Sequence, residues 1–284
     1  MTAPGNSPLG PPLSEPIAVT PWGNTWDQVR DELAGHGSAI VHAKLSDLEP
    51  ELPAGQDLRT LLGRDWTRYM DLTHADVRNR YAASRMLLKY AAGAVLRGDP
   101  DDLELAYGPT GRPYLRGCDQ IDISLSHTED LLLVGLTTRG LIGVDAEWAD
   151  RDMYDAGLGR HICTPYELIL LAGMPAGEER NRGLVRLWTL KEAYSKAIGQ
   201  GMQFRFTEFG FGPDGRPVRV QRPDGTPGTG DEWLFRTFVL KSGYCVSAAV
   251  YDAGFGPLRD PEITTMLDQD CVDAINEALD EEDD

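Results

Sequence analysis

The clearest pattern of apolar positions lies near the middle of the chain. Residues 131–137 (LLLVGLT) are rich in aliphatic side chains, and Leu141–Glu147 (LIGVDAE) follows after Thr138-Arg139-Gly140. Runs of this length and composition predict two strands, and the link between them has the length of a hairpin turn. Gly37–Lys44 alternates as a strand does. Val77, Tyr81, Ser84, Leu88 and Ala91 fall on one face at helical period, predicting a helix from Asp76 to Arg97 that Thr73 or His74 opens. Short strands are expected at Leu103–Tyr107 and Ile121–Leu125, separated by the turn-forming GPTGRP. Helices are expected at Pro165–Ala172 and Asn181–Ile198, the second ended by Gly199 and Gly201. Phe204–Tyr251 reads as meandering antiparallel strands with PDGRP and PDGTPGTG turns. The order of strand, helices and strands occurs twice, with a break near Arg139–Gly143. The expected fold class is α+β in two halves.

Composition narrows the chemistry. The 284 residues carry a net charge of −18, which argues against nucleic acid or an anionic membrane as partner. The excess is uneven: from Pro257 onward there are eleven acids and one base, Arg259, so −10 of the total sits in the last 28 residues. No run approaches the roughly 20 apolar residues needed to span a bilayer. The start, MTAPGNSPLGPPLSEP, has neither the basic region nor the apolar core of a signal peptide; residues 1–17 are expected to be disordered. Cys118, Cys163, Cys245 and Cys271 show no CxxC spacing and read as unpaired thiols of a cytoplasmic protein.

Two segments carry candidate chemistry. Asp145 and Glu147, two apart on an expected strand, project from one face while Val144, Ala146 and Trp148 point the other way. Trp188, Glu192 and Lys196 form a stripe at i, i+4, i+8 along an expected helix. An exposed Glu–Lys pair would be the bland account of that stripe. Its neighbours Ala193, Tyr194, Ala197 and Ile198 are apolar, however, and unpaired charge on a largely buried helix is costly. A magnesium diphosphate would answer both groups: Mg²⁺ takes hard oxygen ligands, and an ammonium suits phosphate charge.

GVDAEW at 143–148 and WTLKEAYSKAIG at 188–199 resemble the paired signature of the Sfp-type 4′-phosphopantetheinyl transferases, with the G-x-D-x-E and W-x-x-K-E-x-x-x-K patterns complete and 47 residues from Asp145 to Glu192. GRPYLRGCDQIDISLSH is similar to that family's G-K-P…S-H stretch. The resemblance spans about residues 64–250 and implies a pseudo-twofold pair of similar α/β halves, 18–139 and 140–257, with the ligand cleft between them. It implies Mg²⁺ held by Asp145, Glu147 and Glu192, and coenzyme A as co-substrate. Lys196 would stabilise charge developing on the leaving phosphate, with Lys191 in a lesser role. Ser126, His127, Arg112, Arg80 and Tyr81 match positions that contact the coenzyme, Arg112 standing where the family commonly has lysine. Ser124 departs from a frequent asparagine, and Ala146 from a bulkier residue.

The reaction implied is transfer of 4′-phosphopantetheine to a serine of an apo acyl or peptidyl carrier protein, with release of 3′,5′-ADP. Either Glu192 or a water held by Glu147 would take the hydroxyl proton. The expected enzyme is a cytoplasmic monomer of secondary metabolism. Rival readings are a catalytically silent coenzyme A-binding homologue and a non-enzymatic scaffold. The Ser126-His127 pair does not suggest a hydrolase, because no GxSxG elbow accompanies it and neighbours on a strand face opposite ways. Outside the resemblance, Ile263, Met266, Leu267, Cys271, Ala274, Ile275, Ala278 and Leu279 recur at spacings of three and four, predicting an amphipathic helix within an acidic segment 258–284.

Overall fold

The computed structural model describes residues 13–20, 23–48, 57–201, 204–212 and 219–254. The expected acidic helix of 258–284 and all but the last few residues of the segment 1–17 lie outside these. The chain runs β1 (Ile17–Ala18), α1 (Trp26–His36), β2 (Ser38–Lys44), a short 3-10 helix at Leu45–Leu48, α2 (Leu58–Leu62), α3 (Asp65–Asp71) and α4 (Ala75–Leu96). It continues with β3 (Leu105–Tyr107), β4 (Pro113–Leu115), β5 (Asp122–Thr128), β6 (Leu131–Thr137) and β7 (Gly140–Trp148). Then come α5 (Gly159–Ile162), α6 (Pro165–Gly173), α7 (Glu178–Ala197), β8 (Trp233–Val239) and β9 (Tyr244–Asp252). This is a mixed α+β fold. None of the helices among the described residues is long and apolar enough to cross a membrane.

One sheet has the order β1-β2-β6-β5 and another the order β7-β9-β8. In each, the strand that precedes the long helix (β2 before α4, β7 before α7) lies beside the last strand, with the intervening strand outermost. The β2-β6-β5 and β7-β9-β8 pairings are all antiparallel. The period-2 rule explains how the sheets stack. On β6, Leu132, Val134 and Leu136 pack with Met86, Leu87, Ala91 and Val95 of α4, while Leu131 and Leu133 turn toward Ile142, Val144 and Ala146 of β7 and Val246 of β9. Both faces of β6 are therefore buried, which accounts for its continuous apolar run. A third apolar cluster lies between α7 and the second sheet, around Leu184, Leu187, Leu190, Phe211 and Phe235.

Three expectations are corrected. Although β6 and β7 are joined by two residues, they do not pair: β7 is captured by β9, more than 90 residues later in the chain, so the link carries the chain from one sheet to the other. Thr138 N–H donates to Gly37 O, and Ala253 N–H to Arg139 O, which fixes that crossing at both ends. The stretch 204–251 is less of a meander than expected. Its described residues hold a short 3-10 helix at Phe206–Glu208, two isolated bridges and then the β8-β9 hairpin. The strand β4 was not expected, since three residues beginning with proline carry little periodic signal. The long helix α4 matches its expected span, but Val77 on the apolar face is exposed.

Candidate active site at the seam between the sheets

β7 is an edge strand, and the edge that faces away from β9 is satisfied by side chains instead of a ladder. Ile142 N–H donates to Asp122 Oδ2 at 2.7 Å, and Ile142 O accepts from Arg112 Nη2 at 2.9 Å. Val144 N–H donates to Ser124 Oγ at 3.0 Å, and Val144 O accepts from Lys196 Nζ at 3.2 Å. The next two rungs are between side chains: Ser126 Oγ donates to Asp145 Oδ1 at 2.8 Å, and Thr128 Oγ1 to Glu147 Oε1 at 3.2 Å. Asp122, Ser124, Ser126 and Thr128 are thus one polar face of β5, turned onto β7 at period two. The signal for Asp122 and Thr128 was present in the alternation D-I-S-L-S-H-T, and the sequence reading used only part of it.

Helix α7 lies over the other side of β7 at very close range. A Cβ on Gly143 would stand 1.8 Å from Ala193 O, so glycine is required where the helix and strand backbones meet. That approach sets Glu192 and Lys196, one turn apart, above Asp145. Lys196 Nζ donates to Asp145 Oδ1 at 2.7 Å. Burial pushes the Asp145 carboxyl upward; the Lys196 charge and the hydrogen bonds from Lys196 and Ser126 pull it back without cancelling that rise. Glu192 is pushed up to about 7, by burial first and then by the charge of Asp145, with Lys196 opposing. Among the described residues neither Glu192 nor Asp145 Oδ2 accepts a hydrogen bond. Glu147 differs. Its Oε1 takes Thr128 Oγ1 and the Trp148 N–H (2.9 Å), and its Oε2 is held by Arg151 Nη1, a residue the sequence reading passed over.

These are hard oxygen donors of the kind a divalent cation takes, and Glu192 with Asp145 Oδ2 leaves acceptors open, so the donor chemistry fits Mg²⁺. The three carboxylates are not drawn together as a cluster, however: among the described residues no three acidic, histidine or cysteine groups converge on one point. Lys196 on Asp145 and Arg151 on Glu147 stand in their way.

The remaining expected residues divide by face. Ser126 faces β7. His127 faces α4, where loss of hydration and then the charges of Arg80, Lys196 and Arg85 lower its pKa. Arg80 Nε is buried without a hydrogen-bond partner among the described residues. Arg112 is spent as a strut, with Nε to Lys196 O at 2.8 Å and a two-point pair to Asp122. It lines a cavity of about 210 Å³ with Thr110, Ser124, Lys196 and Gly199. Tyr81 donates its hydroxyl to Asp65 Oδ1 at 2.9 Å, beside Tyr107 on the same carboxylate and with the Arg85 guanidinium over its ring.

Lys191 is the clear departure. Lys191 and Glu167 have no exposed side-chain surface and pair at 2.6 Å. Its ammonium also donates to Ile162 O, Phe206 O and Phe209 O, each at 2.7 Å. An i, i−1 neighbour of Glu192 on a helix points about 100° away, and here that direction is the core beneath α6. Lys191 does not reach the seam.

The family model described as the 4′-phosphopantetheinyl transferase superfamily matches residues 141–249, which covers α7, β8 and all but the outer ends of β7 and β9. The 4′-phosphopantetheinyl transferase HetI of a Nostoc species is 30% identical over 206 residues, covering 71% of this chain and 82% of that protein. The chain belongs to the 4′-phosphopantetheinyl transferase superfamily. It is a transferase. A phosphopantetheinyl transferase from a Thraustochytrium species is 30% identical over 187 residues, 61% of this chain and 64% of its own length. A 4′-phosphopantetheinyl transferase of Paxillus involutus is 35% identical over 117 residues, 40% of this chain and 42% of that one. In the transferase described here, the side-chain seam and the face of α7 that covers it both draw on the matched segment.

Proposed function

We propose that this transferase moves the 4′-phosphopantetheine group of coenzyme A onto a serine of an acyl or peptidyl carrier protein. The observation that carries the reading is the Lys196–Asp145 pair with Glu192 above it, three charged groups from two elements at one half-buried point. The carrier serine Oγ forms a bond to the β-phosphorus of coenzyme A. The bond from that phosphorus to the bridging oxygen breaks, and 3′,5′-ADP leaves with the electron pair. Glu192, the acid one turn from Lys196 and beside Asp145, takes the serine proton. Lys196 stabilises the charge that gathers on the departing phosphate.

Asp145, Glu147 and Glu192 would hold Mg²⁺, which supplies charge neutralisation on the diphosphate. Arg80 and His127, on the α4 side, are proposed to grip coenzyme phosphate, and Ser126, Tyr81 and Arg112 are proposed as further coenzyme contacts. The repeated strand order supports reading 18–139 and 140–257 as pseudo-twofold halves, with the coenzyme in a cleft along the β5–β7 seam. The test is mass spectrometry of an apo carrier protein incubated with the transferase, coenzyme A and Mg²⁺. A gain of about 340 Da, the mass of the transferred group, is expected. No gain from any carrier class, with coenzyme A still bound, would favour a silent homologue.

A further inference from the structure

The two acids of β7 are held in different ways. Asp145 keeps one oxygen open, whereas both oxygens of Glu147 are engaged, Oε1 by Thr128 and the Trp148 N–H and Oε2 by Arg151. The guanidinium covering Glu147 is half exposed, its side chain 50% accessible against 9% for the carboxylate. Its backbone, by contrast, is anchored. Arg151 N–H donates to Trp148 O at 3.0 Å, and Arg151 O accepts from Asn181 Nδ2 at 2.8 Å. Asn181 Oδ1 in turn accepts from Met153 and Tyr154 N–H at 2.9 and 3.0 Å. The turn after β7 is thus fastened to the first turns of α7, and a long cationic side chain stands on it, free to leave the carboxylate without any change in the backbone.

We infer that Arg151 guards the cation site: it holds Glu147 away from Asp145 and Glu192, and a divalent cation must displace it to recruit the third carboxylate. The inference rests on the reading that Asp145, Glu147 and Glu192 hold the metal. A guanidinium keeps its charge at any working pH, so the guard yields to metal concentration and not to protonation. Because a guanidinium and a divalent cation repel one another, Glu147 serves one of them at a time. An ion pair half open to water contributes modestly, so the guard tunes metal affinity without abolishing it.

The experiment titrates Mn²⁺ into the full-length protein without coenzyme A and follows free Mn²⁺ by electron paramagnetic resonance. Arg151→Gln should bind Mn²⁺ about two- to fivefold more tightly than the wild type, the range that an exposed ion pair commands. Arg151→Lys, which keeps the charge, should stay close to the wild type. Asp145→Asn should lose Mn²⁺ binding with or without the Arg151 substitution. If Asp145→Asn loses binding but Arg151→Gln binds no more tightly than the wild type, the guard is wrong and the metal reading stands. If Asp145→Asn binds like the wild type, the carboxylate reading fails and the guard falls with it. Circular dichroism of Arg151→Gln should match the wild type, since the side chain is half exposed.

Discussion

Gly143 of β7 and Ala193 of α7 meet with so little room that a Cβ on the glycine would stand 1.8 Å from the alanine carbonyl oxygen. The helix that bears Glu192 and Lys196 is placed over Asp145 by this contact between backbones, and no side chain intervenes. Gly143→Ala is therefore expected to lift α7 from the sheet. Overpacking of a core costs about 1–3 kcal/mol, and backbone here leaves little to relax. Thermal unfolding should show a clear loss of melting temperature together with loss of transfer. Gly173→Ala, where nothing lies within 4 Å of the added carbon, is the matched control and should melt and work normally.

Lys196 touches the carboxylate and the strand edge together. Lys196→Ala is expected to lower kcat about 100-fold or more, the range found when a preorganised charge stabiliser is removed, with a smaller change in KM for coenzyme A. Steady-state kinetics with a carrier protein would decide; an unchanged kcat with a raised KM would show that the lysine grips the coenzyme in its ground state.

Lys191 and Glu167 are a sealed ion pair, and removing one partner leaves a buried charge. Lys191→Met is expected to destabilise by about 3–5 kcal/mol, read by denaturant unfolding. Coenzyme A binding per folded molecule should stay the same. Weakened binding in a variant of wild-type stability would restore the lysine to the coenzyme site.

Glu192 titrates at about 7 in the fold against an ordinary 4.5. Between those values the folded chain holds a proton that the unfolded chain has released, so stability falls as pH rises from 4.5 to 7 and the loss is complete above it. In excess chelator, Glu192→Gln should raise the melting temperature over the wild type at about pH 8 and raise it least near pH 4.5. An equal gain at both would mean that the carboxyl is not perturbed.

Much of the fold could be read from local pattern because local pattern decided it. α4 and α7 are long enough for helical period to show, and β6 is buried on both faces and so is apolar along most of its length. The β6–β7 link misled because its length suits a hairpin, while the competing partner of β7 lies in β9, and nothing near residues 138–139 signals it. At the site, Asp145, Glu192 and Lys196 were legible as stripes on one strand and one helix, and the structure brings them together. Lys191 was not: motif membership places it beside Glu192 in sequence, but helix geometry turns it into a different core. Arg151 belongs to no stripe, and only the turn behind it, tied to Asn181, brings it back to Glu147.

The side-chain rungs between β5 and β7 bear on how the molecule deforms. A backbone ladder resists shear cooperatively, since each bond shares its strand with the next. Here the Ile142 amide depends on Asp122 and the Val144 amide on Ser124, and each rung turns on its own torsion. The two sheets can therefore ease apart at one rung while the others hold. Amide hydrogens at 142 and 144 should exchange with solvent faster than Val246 and Ala248 in the ladder beside them, and their rates record how often this join breathes.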